Sequence, residues 1–172
     1  QARNLGFATA HNRAIRYAVD KWAGEDLSQK SILVLNPDII LLPNTLEKLA
    51  AALHANGRLG SVGPKLLRAF RENGEDKYLQ ETRCSDVIDS TGLRPTRALW
   101  FYERGAGEID KGQYDSSPEI FGVSGACVLY RASALLDIRL GDEDEYFDHD
   151  FFVYKEDVDV AWRLRARGWQ AR

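Results

Sequence analysis

Three segments carry side chains whose chemistry can be read before any fold is assigned. In the first, Tyr154-Lys155-Glu156-Asp157-Val158-Asp159, three carboxylates fall within four residues. Such a cluster suits a general base that takes a proton from an attacking hydroxyl. It equally suits the start of a helix, where acids cap free N–H groups and complement the dipole. Clustered like charges raise a carboxyl pKa and a helix N-terminus lowers it, so the pattern alone leaves both readings open. In the second segment, Asn36-Pro37-Asp38 follows the apolar run Ser31–Leu35. An acid leaving a buried strand can hold Mg2+ or Mn2+ together with substrate phosphates. It can also be a turn residue after proline. The third is Asn4-Leu5-Gly6-Phe7 with Asn12, where amides and a glycine at a helix start suit phosphate or ribose contacts, or form an ordinary tight turn.

Further candidates are more ambiguous. Trp100-Phe101-Tyr102 can present a sugar-stacking platform or a small apolar cluster under a loop. Arg163 can meet a phosphate, but it stands four residues after Asp159, the spacing of a helix ion pair. Asp148-His149-Asp150 imitates a metal site and reads better as a solvated turn between Phe147 and Phe151.

The elements that must position these groups follow from apolar spacing. Ile15, Ala18, Val19 and Trp22 mark a helix over about 8–22. Ser31–Leu35 suits a strand buried on both faces. Leu46, Leu49, Ala50 and Leu53, bracketed by Asn44, Glu47 and Gly57, mark a capped helix. Leu59–Val62 is a short strand, which Pro64–Ala69 extends or edges. The polar stretch 70–117 reads as long loops with one hairpin. Ile120–Arg131 returns to buried-strand character, a short helix follows over 132–136, and a last helix runs from about Glu156 to before Gly168. Alternating helix and buried strand predicts an α/β domain with a mostly parallel sheet flanked by helices. Ligands in such sheets sit beyond the carboxyl ends of the strands, which points to the residues after Leu35 and to the region after the Ile120–Arg131 strand.

Composition narrows the classes. The 172 residues suffice for one domain with a core, and 44% hydrophobic with 28% charged residues is ordinary for an α/β protein. A net charge of -3 gives no reason to expect nucleic acid as partner. No apolar run approaches the roughly 20 residues of a membrane span. Cys84 and Cys127 read as free thiols of a reducing cytoplasm. The opening at Gln1 and the close at Arg172 read as cuts through a larger domain.

Four stretches, in order, resemble family 2 glycosyltransferases of the rhamnosyltransferase-like group: Asn4–Ala8 with Asn12; Leu33–Asp38; Phe121-Gly122-Val123-Ser124-Gly125-Ala126-Cys127 leading to Tyr130-Arg131; and Phe147 through Asp157 and Asp159 to Arg163 and Gly168-Trp169. The resemblance implies a GT-A type fold and transfer of a sugar, with inversion, from a nucleotide diphosphate to an acceptor hydroxyl. It implies Asp157 as catalytic base with Glu156 beside it, and Asp38 as ligand of Mn2+ or Mg2+. Asn4, Gly6, Phe7, Asn12, Asn36, Pro37 and Arg163 would bind the nucleotide sugar, and Gly125, Ala126 and Trp100 would face the acceptor. It suggests deoxythymidine diphosphate rhamnose as donor and a growing glycan or lipid-linked acceptor of cell-surface polysaccharide synthesis. The expected location is cytoplasmic, peripheral to the inner face of the plasma membrane. The family's first nucleotide-binding strand and a late histidine are expected outside this chain. Two competitors remain: a non-catalytic binding module on the same fold, and a sugar nucleotidylyltransferase, whose glycine-rich basic loop is not seen near the start.

Overall fold

A computed structural model describes residues 5–71, 82–116, 118–141, 145–151 and 154–172. Helix α1 (Phe7–Lys21) leads through a short 3-10 turn (Leu27–Gln29) to strand β1 (Ser31–Leu35), helix α2 (Thr45–Ala55) and strand β2 (Leu59–Val62). Two antiparallel pairs follow, β3 (Leu66–Arg71) with β4 (Thr82–Ser90) and β5 (Leu93–Pro95) with β6 (Phe101–Glu103). The chain then returns through β7 (Cys127–Arg131), α3 (Ala132–Asp137), α4 (Glu156–Ala166) and β8 (Gln170–Ala171).

The main sheet has the order β1-β7-β2-β8. Strand β7 runs antiparallel to both β1 and β2, and β8 runs parallel to β2, so three of the four strands share one direction. Alternation places both faces in apolar layers. Val34, Val128 and Tyr130 pack with Ala8 and Ile15 of α1, Leu135 of α3, and Val160 and Leu164 of α4. Leu129 faces the other way, with Val62, towards Leu49 and Leu53 of α2. The sheet is therefore flanked by helices on both faces, as the alternation predicts.

Several local expectations are corrected. The strand read over Ile120–Arg131 begins only at Cys127, and Gly122 and Gly125 lie in the loop before it. Pro64–Ala69 neither extends nor edges β2 but leads into β3, which pairs with β4 in a sheet of its own, so the described part of 70–117 holds β4 as well as the β5–β6 hairpin. Asn44 sits in the left-handed region (φ 64°) and makes no side-chain cap bond, so α2 starts without the cap its sequence advertises. Gly57 has no left-handed φ, and the loop there is instead closed by Asn56 Oδ1 accepting from the Arg58 N–H. The end of α4 follows expectation: Gly168 adopts φ 85°, and its N–H and that of Trp169 close on the carbonyls of Arg165 and Leu164. Cys84 is exposed, Cys127 is buried, and both are free.

Candidate functional site

The antiparallel insertion of β7 decides where the site lies. Leu35, the last residue of β1, pairs with Cys127, the first of β7. The carboxyl end of β1 therefore meets the start of β7, and the Ser124–Ala126 turn before that strand joins the 154–158 segment after it in lining one cleft. The Asn36 N–H donates to the Ala126 carbonyl at 2.9 Å. The neighbouring Gly125 N–H donates to Asp157 Oδ2 at 3.1 Å. A Cβ on Gly125 would stand 3.3 Å from that of Asp157, so glycine allows the main chain to reach the carboxylate. Asp157 Oδ1 accepts the Val158 N–H at 2.8 Å, so both of its oxygens are aimed by backbone donors.

The turn into α4 is strained in a way that fixes these acids. Tyr154 and Lys155 have φ of 68° and 74°, two successive left-handed residues that are not glycine. Such conformations cost about 1 kcal/mol or more each and persist where surrounding structure enforces them. They bring Glu156 and Asp157 round to the start of the helix, beside the Ser124–Ala126 turn.

These residues line a cleft of about 480 Å3 with Phe7, Asn36 and, from the β5–β6 pair, Phe101, Tyr102 and Glu103. The hairpin is held there by an apolar cluster of Leu93 with Val158 and Ala161 of α4, against which Phe101 and Phe121 pack. Burial holds Glu103 above the usual carboxylate range, opposed by hydrogen bonds from Ser90 and Ser124 and reinforced by the charge of Asp157. Burial likewise raises Glu156, one of whose oxygens is buried without a hydrogen-bond partner. The cleft thus concentrates three carboxyl groups, two of them biased towards the protonated form.

The other sequence candidates divide. Phe7 lines the cleft and packs edge-on to Phe147, with Gly6 at φ 79° before the helix. Asn12 is buried and clamps the segment before the acidic cluster: its amide donates to the Phe147 carbonyl, and its Oδ1 accepts from the N–H groups of Tyr146 and Phe147. Arg163 pairs with Asp159 and donates to the carbonyls of Ile138 and Tyr146, in a hollow separate from the cleft. The structure gives both Asn12 and Arg163 an internal structural task. Trp100 is 75% exposed, on the groove next to the cleft. Asn4 lies outside the described residues. Glu103 was missed by sequence reasoning because its stretch read as irregular, and its only signal was a carboxylate after three aromatic residues.

Asn36 enters the cleft, whereas exposed Asp38, two residues on, lines a different hollow with Leu66 and Asp89. The donor set around a divalent cation would be hard oxygen, as Mg2+ and Mn2+ prefer. Among the described residues the one preassembled group of ligand atoms is Glu145, Asp148 and His149, none of which lines the cleft. There Asp148 also closes a turn by accepting the Asp150 N–H. A cation at Asp38 would take its remaining ligands from a diphosphate and water, a coordination these ions commonly accept.

Comparison with known proteins gives relatives but no template. No protein-family model and no solved structure matches the chain. An N-acetylglucosaminyl-diphospho-decaprenol L-rhamnosyltransferase of Mycobacterium tuberculosis is 28% identical over 169 residues, covering 96% of this chain and 52% of the relative. The low-salt glycan biosynthesis hexosyltransferase Agl10 of Haloferax volcanii is 25% identical over 164 residues, covering 94% and 44%. The chain thus spans about half the length of the curated relatives it matches. Over nearly all of its own length it is similar to a rhamnosyltransferase and to a hexosyltransferase of glycan biosynthesis, in keeping with the family 2 resemblance of its motifs.

Proposed function

We propose that this chain forms the catalytic half-site of an inverting glycosyltransferase, acting from a nucleotide diphosphate sugar on a lipid-linked or glycan hydroxyl. The observation that carries the reading is Asp157, aimed by the Gly125 N–H into a cleft that also receives the carboxyl end of β1. The acceptor hydroxyl would attack the anomeric carbon as the bond from that carbon to the phosphate oxygen breaks. The hydroxyl proton passes to Asp157, and the nucleoside diphosphate leaves with the bonding pair. One displacement with one base inverts the anomeric centre. Asp157 is the carboxylate here whose two oxygens are both aimed by backbone N–H groups, whereas burial disfavours the charged forms of Glu103 and Glu156. A divalent ion at Asp38, when bound, would offset charge gathering on the departing diphosphate. Gly6, Phe7, Asn36 and Pro37 would face the donor, and Gly125 and Ala126 the acceptor. Rhamnose is the sugar the named relative suggests, and deoxythymidine diphosphate as its carrier rests on the family resemblance of the motifs. Work at the cytoplasmic face of the membrane fits such an acceptor, and no described helix is long and apolar enough to cross it.

The test is turnover by the full-length protein across a panel of nucleotide sugars. Asp157→Asn should lower turnover by about 10²–10⁴-fold while leaving donor affinity near wild type. Asp38→Ala should remove the metal dependence of donor binding. Unchanged turnover in Asp157→Asn would remove Asp157 as the base, whereas no turnover with any donor, together with ligand binding that survives Asp157→Asn, would favour a non-catalytic binding module.

A further inference from the structure

Beside the cleft runs a second, largely apolar groove of about 360 Å3, walled by Leu99, Trp100, Phe101, Phe151 and Trp162; the carboxylate on its lining, Asp159, is paired with Arg163. Leu99 is 65% exposed, Trp100 75% and Trp162 45%. Exposed apolar groups gathered in this way mark interaction surfaces. The tip that carries them is fixed rather than loose. Leu99 is held at φ 59°, the Thr96 N–H donates to the Trp100 carbonyl, and Thr96 Oγ1 accepts the Trp100 N–H. A strained turn is thus maintained around an indole that faces solvent.

The groove is continuous with the cleft, since Phe101, Lys155 and Val158 line both. Lys155 is also the one cationic side chain among the described residues that line either hollow. It stands on the strained turn, one residue before Glu156. From the base outward the surface therefore presents a carboxylate, then a cation, then aromatic and aliphatic walls. A ligand matched to that order carries a hydroxyl, then an anion, then a hydrocarbon chain.

We infer that the groove takes the hydrocarbon chain of a lipid-phosphate-linked acceptor, with Lys155 at the phosphate linkage and Trp100 and Trp162 along the chain. The inference rests on the transferase reading of the cleft and adds to it a site for the acceptor's lipid. Aromatic walls supply a large apolar contact area, and each buried methylene adds to affinity.

The test is a tryptophan-fluorescence titration of the protein with farnesyl diphosphate, inorganic diphosphate and farnesol, at saturating nucleoside diphosphate and Mg2+ to occupy the donor side. Farnesyl diphosphate should bind roughly ten-fold or more tightly than inorganic diphosphate. Trp100→Ala should erase that difference and spare inorganic diphosphate binding; the exposure of the indole makes loss of fold unexpected, and thermal unfolding checks it. Lys155→Gln should weaken both diphosphates and spare farnesol. Farnesyl diphosphate binding no tighter than inorganic diphosphate would overturn the inference, as would a dimer that Trp100→Ala dissociates. The transferase reading fails on a separate result, absence of nucleoside diphosphate binding, while the prenyl titration can be read without nucleotide.

Discussion

Glu103 and Asp157 reach the cleft from different parts of the chain, one at the end of β6 and the other in the first turn of α4. The carboxyl of Glu103 accepts the Ser90 hydroxyl and lies against that of Ser124, the residue before the glycine that aims Asp157. Burial raises its pKa first, and the charge of Asp157 pushes the same way. A group whose folded pKa lies above its unfolded value keeps its proton in the folded state to higher pH. Its stabilising contribution is fully present below the unfolded value and is lost as pH rises through the folded one. At neutral pH the ionisation of Glu103 therefore opposes folding. Glu103→Gln, which keeps an acceptor for the serine hydroxyls, should raise Tm at pH 7. The gain should shrink to nothing as pH approaches about 4, the ordinary glutamate range. Thermal unfolding of the two proteins across that interval checks the sign.

At the scale of elements, the cleft depends on how closely the 120–126 loop lies on α4. A Cβ on Gly122 would stand 2.3 Å from the Cβ of Ala161, a contact that only movement of the loop or the helix can relieve. Gly122→Ala should cost about 1–3 kcal/mol as an overpacking change. It should also displace Asp157 from the Gly125 N–H, so turnover should fall further than stability explains. Gly57→Ala is the control, because nothing lies within 4 Å of its added methyl. Urea midpoints for the two variants, set beside turnover, separate the two effects. The same loop shows what a sequence can and cannot disclose. Helix α1 was legible because Ile15, Ala18 and Val19 repeat at helical spacing, and β1 because both its faces are apolar. The loop 120–126 is equally apolar, so it read as strand. Its glycines mark close approaches to α4 and Asp157 that only the assembled fold reveals. The direction of β7 was illegible too, since pairing across about a hundred residues leaves no local trace. Strand β4, Thr82–Ser90, carries mostly polar residues and reads as loop until β3 pairs with it. For the candidate site, the acidic start of α4 and the exit of β1 were legible as motifs. The pairing of Arg163 with Asp159 was legible from its four-residue spacing, but Glu103, the clamp made by Asn12 and the bonds from Arg163 to the Ile138 and Tyr146 carbonyls were not, because their partners lie outside the local element.

Across the whole molecule one buried charge ties α2, β2 and the turn before β1 to the central strand β7. Arg131, the last residue of β7, is 3% exposed and donates to the carbonyls of Ser28, Leu53, Asn56 and Leu59. Those acceptors lie in the 3-10 turn, in the last turn of α2 and its cap, and at the start of β2, so one guanidinium joins elements on both sides of the sheet strand that carries it. The acceptors are main-chain oxygens and stay in place whatever occupies position 131. Replacing Arg131 with an apolar side chain therefore leaves carbonyls unpaired in the interior, unlike the replacement of a complete ion pair. Arg131→Met should destabilise the fold by about 3–5 kcal/mol, the range for losing several charge-assisted bonds with their acceptors left buried. For a chain of this size that corresponds to a fall in Tm of roughly 6–20 °C. Arg131→Lys should recover part of the loss, since an ammonium keeps the charge but cannot spread its donors over the fork that reaches four carbonyls. The loss should appear as faster exchange of amides in α2 and β2 before those of α1, because the severed bonds all lie on that side or in the turn that precedes β1. Equal exchange rates in α2 and α1 after Arg131→Met would show that the guanidinium does not hold those elements to the sheet.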